Sequence, residues 1–148
     1  MKKIILVASP GGHFVQLSLL SDKLVGWKRV IIGTYSSKPS FMEGEKYYAI
    51  SDFSRTDIWK SLYVGYKSFK ILKTERPSVV VTTGAAPGLI FSLIAKLYGV
   101  RTIWIDSVAN SNKLSLSGNL AKIFGITVLS QWENVCEHND IEYHGRLI

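Results

Sequence analysis

Lys3-Ile4-Ile5-Leu6-Val7-Ala8-Ser9-Pro10-Gly11-Gly12-His13 passes from an unbroken apolar run into a Pro-Gly-Gly turn. Beyond it Phe14, Leu17, Leu20 and Leu24 recur at helical spacing. A strand that is apolar throughout, rather than alternating, suits burial on both faces, the situation inside a parallel sheet. The spacing after the turn predicts a helix over 13–25 with those four residues on one face. Strand, glycine turn and helix in that order make the first half of a βαβ unit.

The same rhythm runs on along the chain. Runs rich in Val and Ile predict strands at 3–8, 30–33, 47–50, 79–83, 102–106 and 126–129, and helices are expected at 57–75 and 87–98. The reading is one α/β domain over 1–148, a Rossmann-like doubly wound parallel sheet that binds its ligand at the carboxyl ends of the strands. A chain of 148 residues fits one such domain and leaves no room for a second of similar size.

Composition excludes several classes. With 47% hydrophobic and 20% charged residues the chain has enough apolar material for a core, so disorder is out. The longest apolar stretch, 89–100, is broken by Lys96 and Gly99 and falls short of the roughly 20 residues that cross a bilayer. The run at 4–8 is too short for the h-region of a signal peptide. Cys136 is the one cysteine, which forbids an internal disulfide, and no Cys/His spacing suggests a metal site; neither metal nor cofactor is expected. The net charge of +7 favours an anionic partner without choosing among nucleic acid, lipid head groups and phosphorylated substrates.

Two loops suit an anion. Ser9-Pro10-Gly11-Gly12-His13 opens the first helix, where Gly11 and Gly12 allow close approach and free N–H groups carry partial positive charge. Neither a dinucleotide fingerprint nor a P-loop is present, and a tight turn with glycine for geometry alone is the plain alternative. Thr82-Thr83-Gly84-Ala85-Ala86-Pro87-Gly88 follows another buried strand, with Pro87 suited to a first helical turn. Converging on one sheet edge, the two would seat a diphosphate between helix N-termini. Asp106 and Ser107, ending the next strand, add a carboxylate and a hydroxyl able to orient a sugar or accept a proton; the alternative for Asp106 is local capping of backbone. His13 carries an imidazole, able to donate to a phosphate or to take a proton from a hydroxyl, so general base, phosphate contact and helix-start packing all stay open.

The helix at 57–75 has two faces at 100° per residue. Ile58, Leu62, Phe69 and Leu72 form the stripe expected to pack on the sheet, while Lys60, Tyr63, Val64, Lys67 and Ile71, bordered by Trp59 and Lys70, face outward. Cations mixed with aromatic and aliphatic groups make Trp59, Lys60, Tyr63, Lys67 and Lys70 a candidate membrane-resting surface. A basic solvated face is the alternative. No nucleic-acid motif accompanies the charge, so nucleic acid is not an expected partner.

These motifs, followed by Leu114-Ser115-Leu116-Ser117-Gly118 and Gln131-Trp132-Glu133, resemble in order and spacing the acceptor-side subunit of two-part glycosyltransferases. The family includes the dolichol-linked oligosaccharide enzyme that adds the second N-acetylglucosamine, and bacterial capsule and exopolysaccharide counterparts. The resemblance implies the N-terminal half of a split GT-B enzyme, inverting and inactive without a separate UDP-sugar-binding chain. It places a polyprenyl-diphosphate-linked sugar against Gly11, Gly12, His13, Gly84, Ala85, Pro87 and Gly88. Asp106-Ser107 departs from the family's Glu-Ser-then-Arg pattern, and on the residue reading Ser107 is expected beside the diphosphate, with His13 and Asp106 in the chemistry. The resemblance puts partner docking near Gln131, Trp132 and the tail 143–148. The eukaryotic relatives carry an N-terminal membrane anchor; here peripheral attachment through 59–70, on the cytoplasmic face of the cell membrane, is expected to replace it. Two rival readings remain: a non-catalytic membrane adaptor of the transferase, and a free-standing nucleotide-binding α/β protein.

Overall fold

The computed structural model describes residues 2–40 and 46–147. Among them six strands, β1 (Lys3–Ala8), β2 (Lys28–Gly33), β3 (Lys46–Ala49), β4 (Val79–Gly84), β5 (Arg101–Ile105) and β6 (Thr127–Leu129), form one sheet in the order β3-β2-β1-β4-β5-β6. Every pairing is parallel. The helices are α1 (Gly12–Ser21), α2 (Lys60–Glu75), α3 (Ala86–Leu97), α4 (Leu116–Ile123) and α5 (Glu133–Asn139). The expected strands are all present within two residues of their bounds; α4 and α5 were not anticipated. Strand order runs outward in opposite directions from β1 and β4, so the topological switch point lies between them.

Alternate residues of the central strands feed two cores. Ile5, Val7, Val30, Ile32 and Val80 meet α2 and α3 through Val64, Leu72, Phe91 and Ala95. Ile4, Leu6, Ile31, Val79 and Val81 meet Phe14 and Leu17 of α1. A third cluster joins Trp104 and Val128 to Ala121 and Val135 beneath α4 and α5. On the α1 face, a groove of about 450 Å³ remains over β4, β5 and β6, lined by Leu20, Leu24, Trp27, Val81, Ile103 and Leu129 among others. Helix α1 stops at Ser21, short of the expected 25: Arg29 donates to the Ser21 carbonyl and hydroxyl, and Gly26 turns the chain at φ +85°.

The reading of α2 is corrected by the structure. Ile58, Leu62 and Phe69, expected against the sheet, are exposed, and Val64 and Ile71, expected outward, are buried; only Leu72 of that stripe is in the core. Two causes act together. Residues 57–59 precede the helix, with a 3-10 turn at Arg55–Asp57, and the true inner stripe, Val64, Ser68, Ile71, Leu72 and Glu75, contains two polar residues that a hydrophobicity pattern discards. Ser68 satisfies itself by donating to the Val64 carbonyl at 2.6 Å.

Glu75 is satisfied by three donors: Lys3 Nζ at 2.9 Å, Lys46 Nζ at 2.7 Å and the Tyr48 hydroxyl at 2.6 Å. Burial by itself pushes this carboxyl up, but the bonds from Lys46, Tyr48 and Lys3 outweigh it and bring the pKa down to about 2. The carboxylate thereby ties the end of α2 to the first residues of β1 and β3.

Candidate functional site

The site is built at the switch point. The loops after β1 and β4 are bonded directly: Ser9 N donates to the Gly84 carbonyl at 2.7 Å, and Ala85 N donates to Ser9 Oγ at 2.9 Å. Register between β1 and β4 shifts at the top, where Val7 pairs with Thr82 but Ala8 pairs with Gly84. Thr83 is therefore the extra residue of a bulge, and its polar groups are released from the ladder. They turn to His13: the imidazole Nδ1 lies 2.9 Å from the Thr83 carbonyl, and Thr83 Oγ1 donates to the His13 carbonyl at 2.5 Å.

This contact selects a tautomer. A carbonyl only accepts, so Nδ1 carries the hydrogen and, in the neutral ring, Nε2 keeps its lone pair. Gly84 makes room for the ring: its φ is +109°, and a Cβ there would stand 3.0 Å from His13 Nδ1. On the other side of His13, Gly11 at φ +78° turns the chain into α1, and Phe14 N and Val15 N make the first bonds of the helix to its carbonyl. The N–H groups of Gly12 and His13 precede those bonds at an exposed mouth.

Between His13, Thr83 and Ala85 on one side and Trp104, Ser107, Asn110, Ser115 and Ser117 on the other lies a polar cavity of about 280 Å³. That is just under the size range of sites that enclose a small molecule by themselves. Of the residues expected at a ligand, His13, Ala85 and Ser107 line this cavity; Gly84 lies against the His13 ring, and Gly11 and Gly12 sit at the start of α1, outside the lining. Pro87 and Gly88 do not join them as ligand contacts: both are buried, and a Cβ on Gly88 would collide with Thr82 Oγ1, so this glycine serves close packing of α3 on β4.

Asp106 is corrected in role. It is 1% exposed and its carboxylate is already occupied by Trp104 Nε1 at 3.0 Å, Ser115 N at 2.9 Å and Ser115 Oγ at 2.6 Å. Ser115 in turn caps α4 by accepting from Gly118 N at 2.9 Å. The capping alternative describes Asp106; a carboxylate holding three donors inside the fold is a support for the cavity wall rather than a free base.

Gln131 is corrected likewise. At 2% exposure it has no surface to offer a partner, and its amide bonds Gln16, the Asp106 carbonyl and Leu147 N. Trp132 is half-buried; its indole donates to the Val108 carbonyl at 2.6 Å, and Arg146 lies over its ring at 5.1 Å. Of the tail 143–148, Ile148 lies outside the described residues.

Of the surface residues, Trp59, Tyr63 and Lys70 are exposed and Lys60 is partly so, with its ammonium 5.7 Å above the Trp59 ring. Lys67 is not outward: its ammonium donates to the Ala49 carbonyl. Ile58, Leu62 and Tyr66 replace it on the outer face, at 70%, 78% and 62% exposure. The sequence assigned no role to Gln16 or Trp104, and Ser115 entered only as part of the Leu114–Gly118 motif. A polar Gln16 within the apolar face of α1 and a serine just before a helix were the available signals.

The fold and the glycine-flanked switch point define a Rossmann-like domain of the kind found in GT-B glycosyltransferases. Acinetobacter baumannii MurG superposes with a TM-score of 0.74 at 16% identity, over 91% of this chain and 43% of MurG. The UDP complex of Staphylococcus aureus MnaA superposes at 0.72 and 11% identity, over 97% and 43%, and a UDP-N-acetylglucosamine 2-epimerase from Rickettsia bellii at 0.69 and 12%, over 96% and 43%. The chain belongs to the family described as oligosaccharide biosynthesis protein Alg14-like, whose model matches residues 34–147. It is 33% identical over 86 residues to the UDP-N-acetylglucosamine transferase subunit ALG14 of Yarrowia lipolytica, and 33% over 90 residues to that of Candida albicans. Those matches cover 53% and 56% of this chain and 40% and 41% of the relatives, so the chain aligns with less than half the length of either.

Proposed function

We propose that this chain is the acceptor-side subunit of a two-part glycosyltransferase: it holds a polyprenyl-diphosphate-linked sugar while a second chain holds the UDP-sugar, UDP-N-acetylglucosamine by analogy with the relatives. The carrying observation is the bonding of the two βα loops across the switch point, with His13 oriented between them. The N-terminal end of α1 suits the diphosphate. Nε2 of His13 suits removal of the proton from the attacking sugar hydroxyl, which would bond the anomeric carbon as the UDP oxygen leaves with the glycosidic electron pair. A polar cavity of about 280 Å³, just under the size that encloses a small molecule by itself, suits a site completed by another domain. Synthesis of a capsule or exopolysaccharide is the setting this reading favours.

Reconstitution with the donor-binding chain tests it. Transfer of N-acetylglucosamine to a prenyl-diphosphate sugar should need both chains, with neither alone active. Full activity of the partner alone would establish the adaptor instead, and tight UDP binding by this isolated chain would favour a free-standing nucleotide-binding protein. The partner's expected seat is the groove over β4, β5 and β6, continuous with the tail that packs Leu147 on the same face.

Among the described residues no helix is long and apolar enough to cross a membrane. The corrected outer face of α2 and the turn before it instead suit a bilayer surface: Ile58, Trp59, Leu62, Tyr63 and Tyr66 are exposed together, with Lys60 and Lys70 among them. The N-terminal end of α2 follows the outer strand β3 at the carboxyl ends of the parallel strands, the end of the sheet that also carries the cavity, so attachment there would bring a lipid diphosphate to the loops. Vesicles containing phosphatidylglycerol should sediment the chain. Trp59→Ser with Leu62→Ser should weaken that binding by roughly tenfold or more, given about 25 cal/mol per Å² of apolar surface removed from water. Unchanged sedimentation of the double variant would refute the assignment.

A further inference from the structure

Gln16, 3% exposed, lies on α1 one turn beyond His13 and reaches away from the phosphate mouth into the molecule. Its Nε2 donates to Ser107 Oγ at 3.2 Å, and its Oε1 accepts from Val108 N at 3.2 Å and from Gln131 Nε2 at 2.6 Å. Gln131 Nε2 also donates to the Asp106 carbonyl at 3.0 Å, and its Oε1 accepts from Leu147 N at 2.9 Å. Ser107 Oγ then accepts from Ala109 N at 3.2 Å. Two buried amides therefore join the helix that carries His13, the 106–109 turn that walls the cavity, the end of β6 and the C-terminal segment. Apolar side chains there would leave the backbone N–H groups of Val108 and Leu147 without these acceptors. What amides add is a fixed position for a turn that has no strand or helix of its own.

We propose that Gln16 and Gln131 are positioning residues: they hold the Ser107–Ala109 wall at a set distance from His13, and through Leu147 they make that distance depend on the seating of the C-terminal segment. The role assigned to the wall rests on the acceptor-side reading above, whereas the coupling itself does not. Removing Gln16 should loosen the wall without touching the donor side. Removing the Leu147 N–H should loosen it from a residue that makes no bond to it.

The test uses the full chain and three variants, Gln16→Met, Gln131→Met and Leu147→Pro. Amide exchange is read at Val108 and Ala109, with Ser115 N, held by Asp106, as the internal reference. Exchange at Val108 should quicken by roughly tenfold in Gln16→Met, which removes its acceptor, and by a smaller but measurable factor in Gln131→Met and Leu147→Pro, which only loosen Gln16, while Ser115 stays unchanged. In the reconstituted pair, Gln16→Met should raise KM for a short-chain prenyl-diphosphate N-acetylglucosamine by roughly tenfold, with kcat within about twofold and KM for UDP-N-acetylglucosamine unmoved. Val108 exchange that is unchanged in Leu147→Pro would overturn the coupling. Parallel rises in both KM values, or faster exchange at Ser115 too, would reduce the pair to general stability and overturn the positioning role. If the wild-type pair transfers no sugar, the acceptor-side reading fails by itself, and the exchange data alone decide the coupling.

Discussion

His13→Ala is expected to lower kcat for sugar transfer by about 10²–10⁴-fold in the reconstituted pair, the range a positioned general base supplies. The side chain is half-buried and, among the described residues, its ring bonds the Thr83 carbonyl alone, so its loss should remove a small contact and leave the fold intact. Partner binding and vesicle sedimentation should therefore persist. The split of kinetic constants identifies the role: a fall in kcat with acceptor KM nearly constant marks a base, whereas a rise in KM with kcat preserved marks a phosphate contact. Transfer that is unaffected in both constants would remove His13 from the site altogether.

Glu75→Ala carries the largest expected cost in stability. It leaves the partly buried Lys3 ammonium and the Tyr48 hydroxyl without their acceptor, and breaking a buried pair from one side costs about 3–5 kcal/mol, a large share of the 5–15 kcal/mol a domain of this size commands. Urea unfolding should show it as a lower midpoint with little change in slope. The same carboxyl predicts an acid dependence. Its pKa is depressed from an ordinary 4.5 to about 2, so the stability it contributes is complete above about pH 4.5 and drains away as the pH falls toward 2. The loss amounts to about 3 kcal/mol. Glu75→Gln should flatten the stability profile over that window, and an unchanged slope would refute the assignment.

The sheet was legible because its strands are apolar on both faces, a pattern that few other arrangements share. The two loops were legible for a related reason: glycine and proline at strand ends mark turns whatever the tertiary context. The outer face of α2 was not, since Ser68 and Glu75 are buried by virtue of partners contributed from the Val64 carbonyl, β1 and β3, and those partners are remote or invisible in a helical projection. Asp106 and Gln131 were misjudged alike. A polar residue at a strand end can face a ligand or a neighbouring backbone, and here Ser115, nine residues on, and Gln16, 115 residues away, decide the matter. Helix α4 was missed although Ser115 is a favourable cap, because only eight residues follow it and a pattern that short hardly emerges from its surroundings.

Thr83 carries a consequence for anyone redesigning this scaffold. Deleting one residue between Thr82 and Gly84 would restore unbroken pairing along β4, and by every criterion of strand regularity the product would look improved. It would also withdraw the oxygen that steers the imidazole, letting the ring spin and alternate its hydrogen between two nitrogens. Idealising this corner of the molecule would trade a poised proton acceptor for a neater ladder.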